Sequence, residues 1–184
     1  MVPTRMHPRP HPGRPDDAGD LEISWEVFGE LCRALAMKVV QGGYDPEIVI
    51  GIARAGVIPG AVIASILRRD FFSMNITRRT GAQRLRKEPQ LLTAAPVQAA
   101  GKRVLIVDEI CTTGATLRMA IAAVRHVNPA EIATATAFVK VGGYLPDFYA
   151  LETDGVVIFP WDRLIVNEEG EVVTNPLYRH ALEE

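Results

Sequence analysis

Residues 104–116 read VLIVDEICTTGAT. Four aliphatics run into two adjacent carboxylates, Asp108 and Glu109, and then into a stretch of threonine, glycine and alanine. The chemistry of such a pattern follows from its residue types. The first amides of a helix lack intrahelical partners, and the helix dipole adds positive potential there. If TTGAT turns from a strand into a helix, Thr112, Thr113, Gly114, Ala115 and Thr116 offer backbone N–H groups and hydroxyls to a phosphate. Gly114 would let the backbone come close to it. The two acids would repel a phosphate, but they can accept hydrogen bonds from a diol or hold Mg²⁺. A diol on one side and a phosphate on the other describe a ribose 5-phosphate.

Those residues need elements to hold them. RVLIV (103–107) is a β-rich run, and ATLRMAIAAVRHV after it places Leu117, Ile121 and Val124 on one helical face. EIVIGI (47–52), EIATATAFVK (131–140) and GVVIF (155–159) read as further strands, with an apolar helical stretch at VIPGAVIASILRR. Ser24 can cap a helix from Trp25 to Gln41, ended by Gly42 and Gly43. Its apolar face is Trp25, Phe28, Cys32, Leu35 and Val39, which makes Cys32 a core residue. Strands alternating with helices imply an α/β domain, a doubly wound and mostly parallel sheet with helices on both faces. Right-handed crossovers bring the strands' carboxyl ends to one edge, where ligands bind.

Composition agrees with one such domain over residues 21–184. The chain has 184 residues, 48% hydrophobic and 23% charged, with net charge −2. That balance gives no general attraction to nucleic acid or acidic membrane. Cys32 and Cys111 form no metal-ligand spacing and no disulfide framework, which fits a reducing, cytoplasmic setting. Residues 1–20, rich in Pro, Arg and His, read as a disordered tail and not as a secretory signal. No apolar run has the length of a membrane span. There is no G-x-x-x-x-G-K-[ST], and no G-x-G-x-x-G follows the first strand.

VLIVDEICTTGAT resembles the phosphoribosyl pyrophosphate (PRPP) motif of type I phosphoribosyltransferases. VIGIARAGVIPGAVIA is similar to that family's pyrophosphate loop and following helix. AFVKVGGYLPDFYA and VVIFPWDR resemble the base-binding segment of its 6-oxopurine branch, the xanthine-guanine and archaeal hypoxanthine-type enzymes. The resemblance covers roughly residues 23–165 and implies a small hood built from N- and C-terminal segments. It implies transfer of 5-phosphoribosyl from PRPP to a nucleobase, a hypoxanthine, guanine or xanthine, with release of pyrophosphate, in purine salvage. Mg²⁺ is the implied cofactor, and a homodimer or homotetramer the implied assembly.

By the same resemblance Asp108 and Glu109 hold the ribose hydroxyls and the metal, and residues 112–116 cradle the 5-phosphate. Arg54, Ala55 and Gly56 match the pyrophosphate loop, with a cis peptide at Arg54–Ala55 or next to it. Lys140 faces the 6-oxo group, Trp161 stacks on the base, and Asp162 belongs to the base-binding segment and helps hold the metal. Arg78, Arg79 and Arg84 fall in a flexible lid near 77–95. Position 112 departs from the branch, whose usual aspartate relays the base proton; Thr112 cannot do so near neutral pH. Two other readings therefore stay open: a PRPP- or nucleotide-sensing regulator of this fold, and transfer to a non-purine base.

Overall fold

Three aliphatic strands form the centre of the molecule, and their alternation decides what covers them. In the computed structural model, which describes residues 19–80 and 84–178 (side chains at 79, 80 and 84–87 excepted), β1 is Asp20–Glu22, α1 Trp25–Gln41, β2 Ile48–Ala53 and α2 Val57–Leu67. β3 (Asp70–Thr80), β4 (Arg84–Leu91), β5 (Arg103–Cys111), α3 (Ala115–Arg125), β6 (Glu131–Lys140) and β7 (Phe148–Thr153) follow. The chain continues through β8 (Val156–Ile158), β9 (Leu164–Val166) and β10 (Val172–Thr174). The main sheet runs β4-β3-β2-β5-β6-β7. It is parallel except for β4, which pairs antiparallel with β3.

In β5, Leu105 and Val107 pack with α1 and α2, while Val104 and Ile106 pack with Leu117, Ala120 and Val124 of α3. The sheet is therefore covered on both faces, as a parallel sheet requires. Beyond the acids the phase changes: Ile110 packs with the α1–α2 side and Cys111 with the α3 side. Strict alternation from Val107 would give the reverse.

Ser24 caps α1, its hydroxyl accepting from the Val27 N–H at 3.3 Å. Phe28, Cys32, Leu35 and Val39 are buried as the spacing predicts, and burial pushes the Cys32 thiol up to about 12. Trp25 is a correction: it is 55% exposed. It stands in the first helical turn, at the margin of the face that the later residues bury, and its ring lies beside that of Trp161.

Three more expectations are corrected. Val156–Ile158 is not a strand of the main sheet but pairs in parallel with Asp20–Glu22. The place next to β6 is taken by β7, whose FYALET carries the aromatic and β-branched residues that favour strands. Residues 77–95 are not one loop, since 77–80 and 84–91 lie in β3 and β4, with a register shift between Thr77 and Arg79. The β2–β3 register ends at Asn75, and beyond it this polar segment is held by antiparallel pairing of β3 with β4. Most of the expected tail lies outside the described residues, but Asp20 is in β1. The β1–β8 pair joins the N- and C-terminal segments, tied further by Arg163 to Glu22 at 2.9 Å. This is the expected hood.

Among the described residues no helix is long and apolar enough to cross a membrane.

Candidate active site

The carboxyl ends of β2 and β5 open onto a cavity of about 830 Å³. Arg54 and Ala55 from the turn after β2 line it, as do Asp108 and Glu109 from β5, Thr116 from α3, and Trp161 and Asp162 from the segment after β8. Asn75, Thr77 and Arg78 of β3 complete one wall. Residues up to 108 positions apart in the chain (Arg54 to Asp162) thus meet at one sheet edge, because the crossovers deliver every strand end there.

Asp108 is buried, at 8% exposure, whereas Glu109 is half-buried. The Asp108 carboxylate accepts the Glu109 backbone N–H at 3.1 Å. Burial, and then the neighbouring Glu109 carboxylate, hold the Asp108 carboxyl well above its usual range. The sign follows from proton linkage. The folded protein binds this proton more tightly than the unfolded chain, so stability falls as pH rises from the unfolded carboxyl value toward the folded one.

Gly56 explains how the loop after β2 reaches the acids. A Cβ on Gly56 would stand 2.7 Å from Asp108 Oδ1 and from the Ile52 carbonyl, and 2.8 Å from the Val107 carbonyl. Only a residue without a side chain lets the turn pack between the two strands. The peptide between Ala53 and Arg54 is cis, next to the bond where the resemblance places one. The Arg54 side chain is exposed.

The TTGAT stretch is the expected turn into a helix. α3 starts at Ala115, and Gly114 has φ +75°, the left-handed conformation that favours glycine. Thr112 and Thr113 are exposed, and Thr113 Oγ1 accepts the Ala115 N–H at 3.4 Å. Thr116 lines the cavity, while Thr112, Thr113 and Gly114 form the turn next to it.

Trp161 is held on three sides by aromatics. Phe159 stacks on it (centroids 4.7 Å, planes 9° apart), and Phe28 meets it edge-on at 4.8 Å. Trp25 lies tilted at 5.8 Å. The indole Nε1 is buried without a hydrogen-bond partner. Asp162 is fixed through its backbone: its N–H donates to the Phe159 carbonyl at 2.9 Å, and its carbonyl accepts from Asn175 Nδ2 at 2.8 Å. Asn175, a buried polar residue, is a contributor that the sequence reading misses.

Lys140 ends β6 as expected, but it is not on the cavity wall. Its ammonium donates to the carbonyls of Asp154, at 3.0 Å, and Gly155. The side chains of Arg79 and Arg84 lie outside the described residues. Sequence reasoning also misses Tyr144, whose ring lies against the Gly114 turn. Paired glycines and an aromatic do follow Lys140 and Val141, but nothing local to them points to the Gly114 turn.

The donor set suits an ion held largely by its substrate. Asp108, Glu109 and Asp162 border one cavity, yet among the described residues no three Asp, Glu, His or Cys side chains converge into a cage. Mg²⁺ commonly takes one or two carboxylates and completes its shell with water and substrate phosphates.

A parallel sheet with acids at a central strand end, a glycine-dependent loop beside them and a helix-opening turn place the candidate site at the sheet's carboxyl edge. The phosphoribosyl transferase domain model matches residues 24–167, and the chain belongs to that family. A xanthine-guanine phosphoribosyltransferase of Nitratidesulfovibrio vulgaris is 30% identical over 143 residues, spanning 76% of this chain and 83% of that protein. One from Gluconobacter oxydans is 26% identical over 158 residues, spanning 81% and 92%. The crystal structure of a purine phosphoribosyltransferase from Pyrococcus horikoshii superposes with TM-score 0.69 at 27% identity, covering 81% of this chain and 98% of its own.

Proposed function

We propose that this phosphoribosyltransferase moves the 5-phosphoribosyl group of PRPP onto a 6-oxopurine (hypoxanthine, guanine or xanthine). A ring nitrogen of the base attacks C1, and the C1–oxygen bond breaks. Its electron pair leaves with pyrophosphate, and the base nitrogen loses its proton. The observation that carries this reading is that the β5 acids, the Arg54–Ala55 turn, Thr116 and Trp161 share one cavity. The names of the two curated relatives supply the base class.

In this reading Asp108 and Glu109 accept hydrogen bonds from the ribose 2- and 3-hydroxyls. The Arg54–Gly56 turn holds the pyrophosphate, and the 112–116 turn holds the 5-phosphate. Arg78 adds positive charge to the wall facing an anionic substrate. Asp108, Glu109 and Asp162 would hold Mg²⁺, and the ion would supply positive charge against the developing charge of the leaving group. Catalysis is then mainly positioning and electrostatics. Lys140 is the donor for the 6-oxo group once its ammonium turns from the Asp154 and Gly155 carbonyls. Thr112 acts as a phosphate ligand, because its hydroxyl cannot take a proton near neutral pH.

A panel of bases with PRPP and Mg²⁺, read by pyrophosphate release, tests the assignment. Turnover is expected with at least one 6-oxopurine and not with adenine. Tight nucleotide binding without turnover of any base would favour the sensing role, and turnover of a pyrimidine alone would overturn the purine assignment.

Trp161 gives a second test. Phe159 covers one indole face, so a base stacks on the opposite one. Stacking is worth about 1–3 kcal/mol per base. Trp161→Ala is expected to raise KM for the base by about 5- to 150-fold, with KM for PRPP nearly unchanged. An unchanged base KM would remove Trp161 from the pocket.

A further inference from the structure

The β6–β7 connection does more than join two strands. It begins at Lys140, whose carbonyl accepts the Gly143 N–H at 2.9 Å. Gly143 then passes so close to the Thr112 carbonyl that a side chain there would collide with it. The next residue, Tyr144, donates its backbone N–H to the same Thr112 carbonyl at 2.9 Å. Its ring occupies the space that a side chain on Gly114 would need: a Cβ there would be 2.7 Å from both Cβ and Cδ1 of Tyr144. The ring also packs on the cluster that contains Cys111 and Leu117, and the Arg118 guanidinium lies 5.3 Å from its centroid. Thus one residue holds both ends of the Thr112–Gly114 turn, in which Thr112 and Thr113 are exposed and Gly114 is buried, by a hydrogen bond at the first and by its ring at the last.

Resting on the phosphoribosyl reading above, we propose that Tyr144 is a positioning residue that holds the 112–116 turn in its phosphate-binding shape before PRPP arrives. Without the strap this turn would be an exposed loop that pays its ordering cost on binding. Pre-ordering removes that cost. The ring and the backbone N–H do this; the phenol hydroxyl has no part in it. The geometry also joins the phosphate turn to Lys140 through a three-residue span, so the strap connects the two ends of the proposed substrate pair.

The test is calorimetric titration of PRPP and, separately, ribose 5-phosphate with Mg²⁺ into wild type, Tyr144→Ala and Tyr144→Phe, with melting temperatures recorded. Tyr144→Ala is expected to weaken both ligands by about 10- to 100-fold, the scale of a misplaced site. Tyr144→Phe is expected to bind like wild type. In turnover, the loss should fall on KM for PRPP and leave KM for the base within about threefold, a split that general destabilisation would not produce. If Tyr144→Ala does not fold, Tyr144→Leu carries the test, with at least about fivefold weaker binding expected. Wild-type affinity in the Ala or Leu variant would overturn the proposal, as would equal losses in Phe and Ala. If wild type itself binds neither ligand, the phosphoribosyl reading fails instead.

Discussion

Replacing Asp108 with Asn and Glu109 with Gln together is expected to abolish useful PRPP binding. Each carboxylate is assigned a charge-assisted hydrogen bond to a ribose hydroxyl, worth about 1.5–3 kcal/mol. Two such losses correspond to about 10²- to 10⁴-fold in Kd. Isothermal titration with Mg²⁺ present measures it, and equal affinity in the double variant would sink the assignment. Asp108→Asn alone should have the opposite effect on stability. The Asp108 carboxyl is buried beside Glu109 and held above its usual range, so its ionised form is costly in the empty protein. Asn can still accept the Glu109 N–H. The melting temperature at neutral pH should rise by about 2–6 °C. The gain should shrink as pH falls toward the unfolded carboxyl value and vanish below it, where Asp108 is protonated in both states. A drop at neutral pH would mean that the carboxylate stabilises the fold, contrary to its surroundings.

Gly56→Ala is the second change with a large expected effect. The new methyl would meet the Ile52 and Val107 carbonyls at 2.7 and 2.8 Å, and Asp108 Oδ1 at 2.7 Å. Two of these atoms belong to the backbones of adjacent central strands, which cannot give way cheaply. The turn after β2 must therefore move away from β5, or the Asp108 carboxylate must rotate. Overpacking of this kind costs about 1–3 kcal/mol. Displacing the pyrophosphate turn from the acids should lower kcat/KM for PRPP by about 10²-fold or more. The two effects separate experimentally. A lower melting temperature with wild-type kcat/KM would show that the spacing between turn and acids matters for folding alone.

Local sequence carried much of the site. VLIVDEICTTGAT fixes a strand, a tight turn and a helix through hydrogen bonding and side-chain periodicity that act within a few residues. β5, the positive φ of Gly114 and the start of α3 follow from it. α1 was legible for the same reason, with Ser24 and Gly42 at its ends. Gly56 was legible as a loop glycine, although the reason for it, close packing against β5, was not. Trp161 and Asp162 could be named as candidates from the resemblance, but not placed. Asn175, which pins Asp162, gave no local signal at all.

Thus the sequence by itself determined the chemistry of the phosphoribosyl edge: an acid pair ending a buried strand, and a small-residue turn opening a helix. It also determined the alternation of strands and helices, since both depend on neighbours in the chain. Tertiary structure decided the partners. Period-two alternation marks a strand but not its neighbour, so Val156–Ile158 could only be given to β1, and Phe148–Thr153 to the sheet edge, by long-range pairing. The polar run after Asn75 became ribbon because β3 continues past the end of β2 and β4 folds back antiparallel on it. The direction of Lys140, toward two carbonyls of the loop before β8, depends on where that loop lies. The seat of Tyr144 on the Gly114 turn is of the same kind. Residues 114 and 144 are neighbours only after β5 and β6 have paired side by side, and no signal local to either one encodes that contact.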